Sequence, residues 1–351
     1  MRQLSLLLLI LLPTLLCGQS KKILDHSAYD EWRTIETQAI SADGKHIHYT
    51  LASHGYADPV LVLKTHGGEA LLSYERGKDG KFSSDGKYLT FTIVPGDATL
   101  RDLKRIKTDK DELPQDTLAI YDIEEQRLTK LPYLQSVRLP EKWSGWLAYQ
   151  HILQPDTTNK KAKKSNKDNG FPLTVYRLSD GATWELPFVH SYQFSEKGSM
   201  LSAISAGNDS TVVEGVYVFD TAAPDWNNIH SAKKGKYDNL TWDEAGNQLA
   251  FTADVDTTKA LVRNPGLYHW TSGNAEAGLI LDSTKDFVQS GMQVNALLQP
   301  MFSQNGQKLY FEIMPNPIQQ DTSLLEDEIV NVEVWSYNDP RLYTQQRSEE
   351  R

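Results

Sequence analysis

The sequence contains very little cysteine and carries an excess of negative charge. Cys17 is the only cysteine in 351 residues, and it lies in the N-terminal segment. One cysteine cannot form an internal disulfide, and a mature chain without Cys17 has neither a cysteine nucleophile nor a cysteine-ligated zinc site. The formal net charge of −10 argues against a general nucleic-acid or anionic-membrane binder, because both require clustered Lys and Arg.

A hydrophobic run long enough to span a membrane is also missing. The apolar stretch Leu4–Leu16 follows Arg2 and precedes Cys17-Gly18-Gln19. This stretch is shorter than the ~20 residues of a membrane-spanning helix, and its basic start and small residues at the end are typical of an export signal. We therefore predict a signal peptide over 1–18, cleavage after Gly18, and a periplasmic or extracellular product. The alternative, a lipid-anchored Cys17, is disfavoured because the preceding Leu16 is large.

The Gly-x-Ser-x-Gly elbow, which exposes a nucleophilic Ser on a strand-to-helix turn, does not occur. Gly18 is the only Gly that is followed by a Ser two positions later, at Ser20, and Lys22 occupies the last position of the motif. The alternation of strands and helices that carries such an elbow is missing too. The sequence therefore predicts no catalytic residue, no metal ligand and no cofactor.

What the chain does contain is an internal repeat. Phe82–Ile93 reads FSSDGKYLTFTI, and similar hairpins recur at ISADGKHIHYTL, FSEKGSMLSAIS, WDEAGNQLAFTA and FSQNGQKLYFEI, with a degenerate copy at KWSGWLAY. We interpret Asp-Gly as the centre of a tight turn in which Gly takes a positive φ and Asp tolerates one. A second strand pair follows each hairpin, and two hairpins form the four-stranded blade of a β-propeller. A β-sandwich is the alternative, but it does not need six copies of one four-strand unit.

The repeats predict an all-β propeller over residues 35–346 with six recognisable blades. The predicted segments are a lead-in at 19–34 with one helical turn around Tyr29–Trp32, blades at 35–75, 77–133, 134–189, 190–231, 236–283 and 293–346, and a disordered tail at 347–351. Two insertions interrupt the repeats. Asp97–Asp116 predicts a short amphipathic helix, and the lysine-rich Gln154–Gly170 predicts a mobile solvated loop.

The pattern F-S-x-D-G-K-x-L-x-F followed by L-x-x-Y-D resembles the propellers of two exported families. Phe82–Phe91 and Leu118–Asp122 are the best-preserved copies. One family is TolB-like, and the other is the propeller domain of prolyl oligopeptidase family serine peptidases. The irregular blade lengths, the charged insertion at 100–122 and the ending VEVWSYNDPRLYTQQ favour similarity to the peptidases.

This resemblance implies a propeller that caps an α/β-hydrolase domain and admits short peptides to it. No catalytic residue of the family can be transferred, because the hydrolase motifs do not occur in this sequence. The expected partners are peptide substrates, through a missing or separate hydrolase domain, and a protein partner at the propeller face. A stand-alone TolB-like interaction module remains the alternative.

Other candidate site residues favour ordinary structural roles. Glu124-Glu125 follows Tyr121-Asp122 in a predicted exposed turn, and not in the context where dipeptidyl members of the family bind a substrate's amino terminus. His46 and His48 alternate on one predicted strand, and His54 and His66 lie in the same blade. Two His on one face can bind a metal, but we interpret them as paired polar residues of an exposed strand face. Asp254 and Asp256 resemble a fragment of a calcium loop whose Gly and terminal Glu are missing, so we interpret them as loop acids. Asn208 and Asn239 begin sequons. The tryptophans are predicted to lie in the blade core: Trp143, Trp146, Trp184, Trp242 and Trp270.

The end of the chain predicts an incomplete or open ring. The sixth blade opens with Phe302–Ile313 and reaches its third strand at Val332–Tyr337. Gln345–Arg351 is wholly polar and cannot form an inner strand. We therefore expect the sixth blade to lack a fourth strand.

Overall fold

The computed structural model describes residues 25, 32–153, 169–208, 211–258, 260, 262–285, 288–317, 336–342 and 344–346. Nearly every regular element in these ranges is a β-strand, and every strand pair is antiparallel. The predicted lead-in helical turn at Tyr29–Trp32, the lysine-rich loop and the polar tail lie wholly or mostly outside the described residues.

The first two sheets each contain four strands in chain order. Sheet one consists of β1 Arg33–Ile40, β2 His46–Ser53, β3 Val60–Thr65 and β4 Ala70–Glu75. Sheet two consists of β5 Gly77–Phe82, β6 Tyr88–Ile93, β7 Thr117–Asp122 and β8 Arg127–Pro132.

Sheets three and four are continuous, because one strand belongs to both. The strands are β9 Leu134–Arg138, β10 Trp146–His151, β11 Phe171–Arg177, β12 Thr183–Phe194, β13 Met200–Ser205, β14 Gly215–Asp220 and β15 Trp226–Ser231. The first half of β12 closes sheet three on β11, and its second half opens sheet four on β13. The predicted boundary between the third and fourth blades, at residues 189 and 190, lies within β12. No turn separates the two halves, so the backbone continues as one 12-residue strand.

Sheet five again has four strands, whereas the sixth unit is a hairpin within the described residues. Sheet five contains β16 Lys236–Trp242, β17 Gln248–Asp254, β18 Gly266–Thr271 and β19 Gly278–Leu281. In hairpin six, β20 Met292–Val294 pairs with β23 Ile313–Pro315, and β21 Met301–Phe302 pairs with β22 Leu309–Tyr310. The predicted third strand of the sixth blade lies mostly outside the described residues, and Tyr337 at its end is exposed in a turn.

The buried core lies between consecutive sheets. Leu61 and Leu63 of β3 pack against Leu89 and Phe91 of β6, and all four are at most 1% exposed. The same arrangement recurs between sheets two and three, four and five, and five and hairpin six. Sheets three and four share a cluster that contains Trp146, Leu173, Leu201 and Phe219. Four-stranded sheets that pack face to face in chain order form a β-propeller, which confirms the predicted fold class.

The repeated hairpin turn has a common hydrogen-bond network that explains its sequence. In sheet two, Ser83 N donates to Tyr88 O (2.9 Å), while Tyr88 N donates to Ser83 Oγ (3.0 Å). Asp85 Oδ1 accepts from Ser83 Oγ (2.6 Å) and from Lys87 N (3.2 Å). Ser41 and Asp43 repeat this network in sheet one, and Ser303 and Asn305 repeat it in hairpin six.

The turn geometry corrects the prediction for Asp. Gly86 takes a positive φ of 71°, whereas Asp85 does not. Asp is therefore selected as a hydrogen-bond acceptor and not for its tolerance of a left-handed backbone. In sheet five Asp243 performs both side-chain roles, because its Oδ1 accepts from Asn247 N and from Gln248 N at 2.8 Å each.

Sheets are joined by single residues in the left-handed conformation. Arg76 (φ 66°) links β4 to β5, Tyr133 (φ 64°) links β8 to β9, and Phe188 (φ 60°) lies where β12 passes between sheets. Each joint residue accepts a backbone hydrogen bond at its carbonyl, from Val94, Ile152 and Ala206 respectively. These bonds offset a backbone conformation that costs a non-glycine residue about 1–2 kcal/mol.

The insertion after β6 forms the predicted helix. Helix α1 spans Asp97–Arg105, and a 3₁₀ turn follows at Lys110–Glu112. None of the helix side chains is buried, so the amphipathic pattern does not correspond to a core contact. The backbone N–H of Asp97 binds Asp58 Oδ1 (2.9 Å), and the Arg101 guanidinium lies 3.5 Å from the centre of the Tyr56 ring.

Candidate functional site

The first strand of each complete sheet contains a break in its hydrogen-bond ladder at a similar place. Each register shift leaves one extra residue on the first strand, which is β1, β5, β9, the second half of β12 or β16. The extra residues include Glu36, Asp79, Gln135, His190 and Asn239. A β-bulge leaves a residue unpaired and redirects its side chain, and such bulges are common beside functional sites.

The bulged strands lie where neighbouring sheets approach one another. β1 contacts β5, and β12 contacts β16. Sheets that radiate from a centre are closest at their inner edges, so the first strands form the inner end of the propeller. We use the term inner-strand surface for five exposed polar side chains at or directly beside the bulges, which are Glu36, Asp79, Gln135, His190 and Asp238.

Carboxyl groups beside the bulges have perturbed proton affinity. Desolvation raises the pKa of Asp238, and the charge of His190 on the adjacent sheet partly offsets this effect. Desolvation likewise raises the pKa of Asp116. The positive charge of Lys78 opposes this rise, and the negative charge of Asp79 adds to it. Ionisable groups with shifted pKa values concentrate at functional sites. The inner-strand surface therefore contains one carboxyl group with a raised pKa, Asp238, and a second such group, Asp116, lies near the bulge of β5.

Two bulges are also fixed by close packing or hydrogen bonds. A Cβ atom on Gly80 would lie 2.8 Å from the His48 ring, so only glycine fits beside that side chain. Asn239 takes a φ of 60°, and its Nδ2 donates to Thr252 Oγ1 (3.0 Å) and to Ala296 O (2.7 Å). The Asn239 sequon is therefore a structural contact between sheet five and hairpin six.

The predicted histidine group is divided by burial. His46 and His48 share a face of β2, but His48 is only 1% exposed and lies 5.1 Å from the Phe82 ring. The prediction that these residues lie on an exposed strand face is wrong for His48, because β5 of the next sheet covers it. Neither ring nitrogen of His48 has a hydrogen-bond partner, and burial lowers its pKa.

Other predicted candidates lie in local turns. Glu124 and Glu125 follow β7, where their backbone N–H groups bind Asp122 Oδ1, and Glu125 pairs with Arg127 (2.9 Å). Arg263 donates to Asp254 Oδ2 (2.5 Å) and to the carbonyl of Asp256 (2.6 Å), so both acids serve one loop. Across the described ranges, no three His, Cys, Asp or Glu side chains form a metal-binding group.

The predicted tryptophan core is confirmed. Trp146, Trp242 and Trp270 are buried, and Trp143 and Trp184 pack against the cluster of sheets three and four. Trp242 Nε1 donates to Gln193 O (3.2 Å) and Ser202 Oγ (3.0 Å), and Trp143 Nε1 donates to Ser195 O (3.0 Å). Within the part of the chain that the structure describes, no helix is long and apolar enough to cross a membrane.

No protein-family model and no curated protein matches this chain. Solved structures do show similarity. The β-propeller domain of the trilobed protease from Pyrococcus furiosus, which has an open velcro topology, is 13% identical over 81% of this chain and 84% of that chain, with a TM-score of 0.38. A prolyl endopeptidase is 15% identical over 87% of this chain and 46% of that chain, with a TM-score of 0.42. An oligogalacturonate lyase in complex with manganese is 11% identical over 74% and 67%, with a TM-score of 0.37.

The sheet order and the packing between sheets define this chain as an all-β propeller. The solved structures that are similar to this chain include propellers of prolyl oligopeptidase and acylaminoacyl peptidase, and also the lyase.

The bulges of the inner-strand surface were not predicted from the sequence, because a bulge needs only one extra residue in one strand. Gly80 and Asn239, which interrupt strand patterns, were the only local signals.

Proposed function

We propose that this chain is the non-catalytic propeller of a prolyl oligopeptidase-like serine peptidase, and that its inner-strand surface contacts peptide substrates before they reach a hydrolase domain. The recurrent bulge in the first strands is the observation that carries this proposal. The repeat motif resembles that of the peptidase propellers, and the sequence contains no Gly-x-Ser-x-Gly elbow. Export through a signal peptide at 1–18 belongs to the same proposal.

The chemistry of the inner-strand surface suits an extended peptide. Bulges leave backbone groups without ladder partners, and an extended peptide carries donors and acceptors that can pair with them. The surface presents acids at Glu36, Asp79 and Asp238, an amide at Gln135 and an imidazole at His190. Mixed polar groups accommodate a backbone of varied sequence, whereas a nucleic acid would require clustered cations.

A binding experiment tests the role of this surface. Binding of a proline-containing hexapeptide is measured by NMR with the wild-type chain, a His190→Ala/Asp238→Asn double variant and a Glu185→Gln control. Glu185 is an exposed acid on the outer half of β12. We expect weaker binding for the double variant alone. Equal binding by all three proteins would refute a peptide site at the inner-strand surface.

A labelling experiment tests the lack of catalysis. The purified chain is treated with a fluorophosphonate probe and assayed on the same peptide. We expect neither a labelled Ser nor cleavage, because no activated nucleophile is encoded. A labelled Ser that is lost on mutation to Ala, together with peptide cleavage, would contradict the proposed role.

A second candidate is an interaction propeller that works without a hydrolase domain. It is favoured by exposed apolar side chains of hairpin six and its inserted loop, including Leu297 (82% exposed), Leu298 (51%) and Met301 (63%). Exposed apolar groups concentrated on one element mark protein-binding surfaces. The coding sequence downstream of Arg351 separates the two candidates. An elbow followed by Asp and His, in the same or the next reading frame, supports the peptidase, and a stop codon with no such gene supports the interaction module.

A further inference from the structure

A cavity of about 310 Å³ lies where sheets one and two meet the insertion that contains α1. Its apolar lining includes Tyr74, Val94, Pro95 and Pro114, and its charged lining residues are Arg76 and Lys130. No carboxylate lines it. This volume is at the lower end of the ~300–1,000 Å³ of small-molecule sites, which combine apolar walls with a few placed polar groups.

Both cations lack an ionic partner within the described residues. No hydrogen bond or ion pair involves the Arg76 guanidinium, and Lys130 makes its recorded contact with the Tyr74 ring, whose centre is 5.3 Å from Nζ. The Asp58 carboxylate lies near Gly96 at the edge of the cavity, where its Oδ1 accepts from Asp97 N (2.9 Å), but it does not line the cavity. The lining itself therefore carries two cations and no carboxylate.

The backbone of Arg76 is anchored by two hydrogen bonds, and its side chain differs chemically from those at the equivalent positions. Its N–H donates to Pro59 O (2.6 Å), and its carbonyl accepts from Val94 N (2.9 Å). The corresponding joints carry Tyr133 and Phe188, which are aromatic. The joint itself therefore does not require a cation. The guanidinium is a planar fork that can bind a planar carboxylate through two parallel hydrogen bonds.

We propose that this cavity binds a carboxylate carried by a small apolar body. The carboxylate contacts Arg76 and Lys130, and the apolar body contacts the proline and tyrosine walls. An N-acylated hydrophobic amino acid and the C-terminal residue of a peptide share this chemistry. This site lies on the insertion side of sheets one and two and does not depend on the function proposed for the inner-strand surface.

Calorimetry tests the site with three probes: N-acetylphenylalanine, its uncharged amide, and a tripeptide with a free C-terminal phenylalanine. The proteins are the wild type, Arg76→Gln, Lys130→Gln and a Lys64→Gln control. Lys64 is a matched control because its Nζ also lies over an aromatic ring, 5.9 Å from the centre of Tyr49. Thermal melts establish that each variant is folded. Gln and Arg are both non-glycine residues, so Arg76→Gln leaves the backbone strain at the positive φ of this position unchanged.

We expect the acid to bind about tenfold more tightly than the amide, and each cavity variant to lose about tenfold in affinity, as expected for loss of one charge-assisted hydrogen bond. Lys64→Gln should bind like the wild type. Binding of both acids supports a general carboxylate site, and binding of the tripeptide alone supports a site for peptide C-termini. Equal affinity for acid and amide, equal loss in Lys64→Gln, or no binding at millimolar concentration would overturn the proposal.

Discussion

Gly198 and Gly246 lie directly against each other, although they belong to the hairpin turns of different sheets. A Cβ atom on Gly198 would lie 2.5 Å from the Cα of Gly246 and 2.3 Å from the carbonyl oxygen of Ala245. Turns of the same repeat motif therefore contact one another from sheet to sheet. The same relationship places Gly86 beside Ser41 and Asp43, and Gly306 beside Asp243.

Gly198→Ala should destabilise the protein by about 1–3 kcal/mol, because the added methyl group must displace backbone atoms. Gly278→Ala is the matched control, since a Cβ atom there meets nothing within 4 Å. It should change the free energy of unfolding by less than about 0.5 kcal/mol. Urea denaturation measures both values, and equal stability of the two variants would contradict the turn-to-turn contact.

Asp85→Ala should cost about 1–2 kcal/mol at neutral pH, because Lys87 N and Ser83 Oγ lose their acceptor. Asp85→Asn should retain most of the stability, since Asn305 accepts the same two bonds in hairpin six. A similar loss in both variants would show that the charge, and not the acceptor geometry, stabilises the turn.

The same pair of variants predicts a difference in acid. Desolvation opposes ionisation of Asp85, but hydrogen bonds from Ser83, Lys87 and Ser144 outweigh it and lower its pKa. The unfolded chain therefore takes up this proton first, so the stabilisation is present above pH ~3.9 and is lost as the pH falls below that value. Asp85→Asn should lose less stability than the wild type between pH 6 and pH 3, as measured by urea denaturation.

His48 should make the fold less stable as the pH falls through about 6.5. Burial lowers the pKa of His48, so the unfolded state binds the proton more tightly than the folded state. The free energy of unfolding therefore decreases as the pH falls from the unfolded-state pKa to the folded-state pKa. His48→Phe should reduce this pH dependence. Some dependence should remain, because burial also lowers the pKa of His230 and His269. An unchanged slope in His48→Phe would contradict the role of His48.

Asn239→Ala should destabilise the junction between sheet five and hairpin six more than Asn239→Gly. Both variants lose the hydrogen bonds to Thr252 and Ala296, but only alanine also keeps an unfavourable side chain at a φ of 60°. The expected difference is about 1 kcal/mol. A more stable alanine variant would indicate that the backbone at position 239 rearranges.

The repeat made the sheets predictable, because each copy carries its own turn residues and alternating strand pattern. Phe82–Ile93 and the tryptophans follow this local code, and so their positions could be predicted from the sequence. The bulges, the burial of His48 and the pairing of Asn239 with Ala296 depend on contacts between sheets. Such contacts join residues that are distant in sequence, so no local pattern reports them.

The unbroken strand β12 also bears on the order in which neighbouring sheets separate. No ladder pair crosses the joint at Arg76 or the joint at Tyr133. Between sheets three and four the two ladders meet at Val189, which pairs with Phe171 of β11 and with Ser205 of β13. Under heat or mechanical load, sheets three and four should therefore separate later than sheets one and two, because their separation must break one of these two pairs.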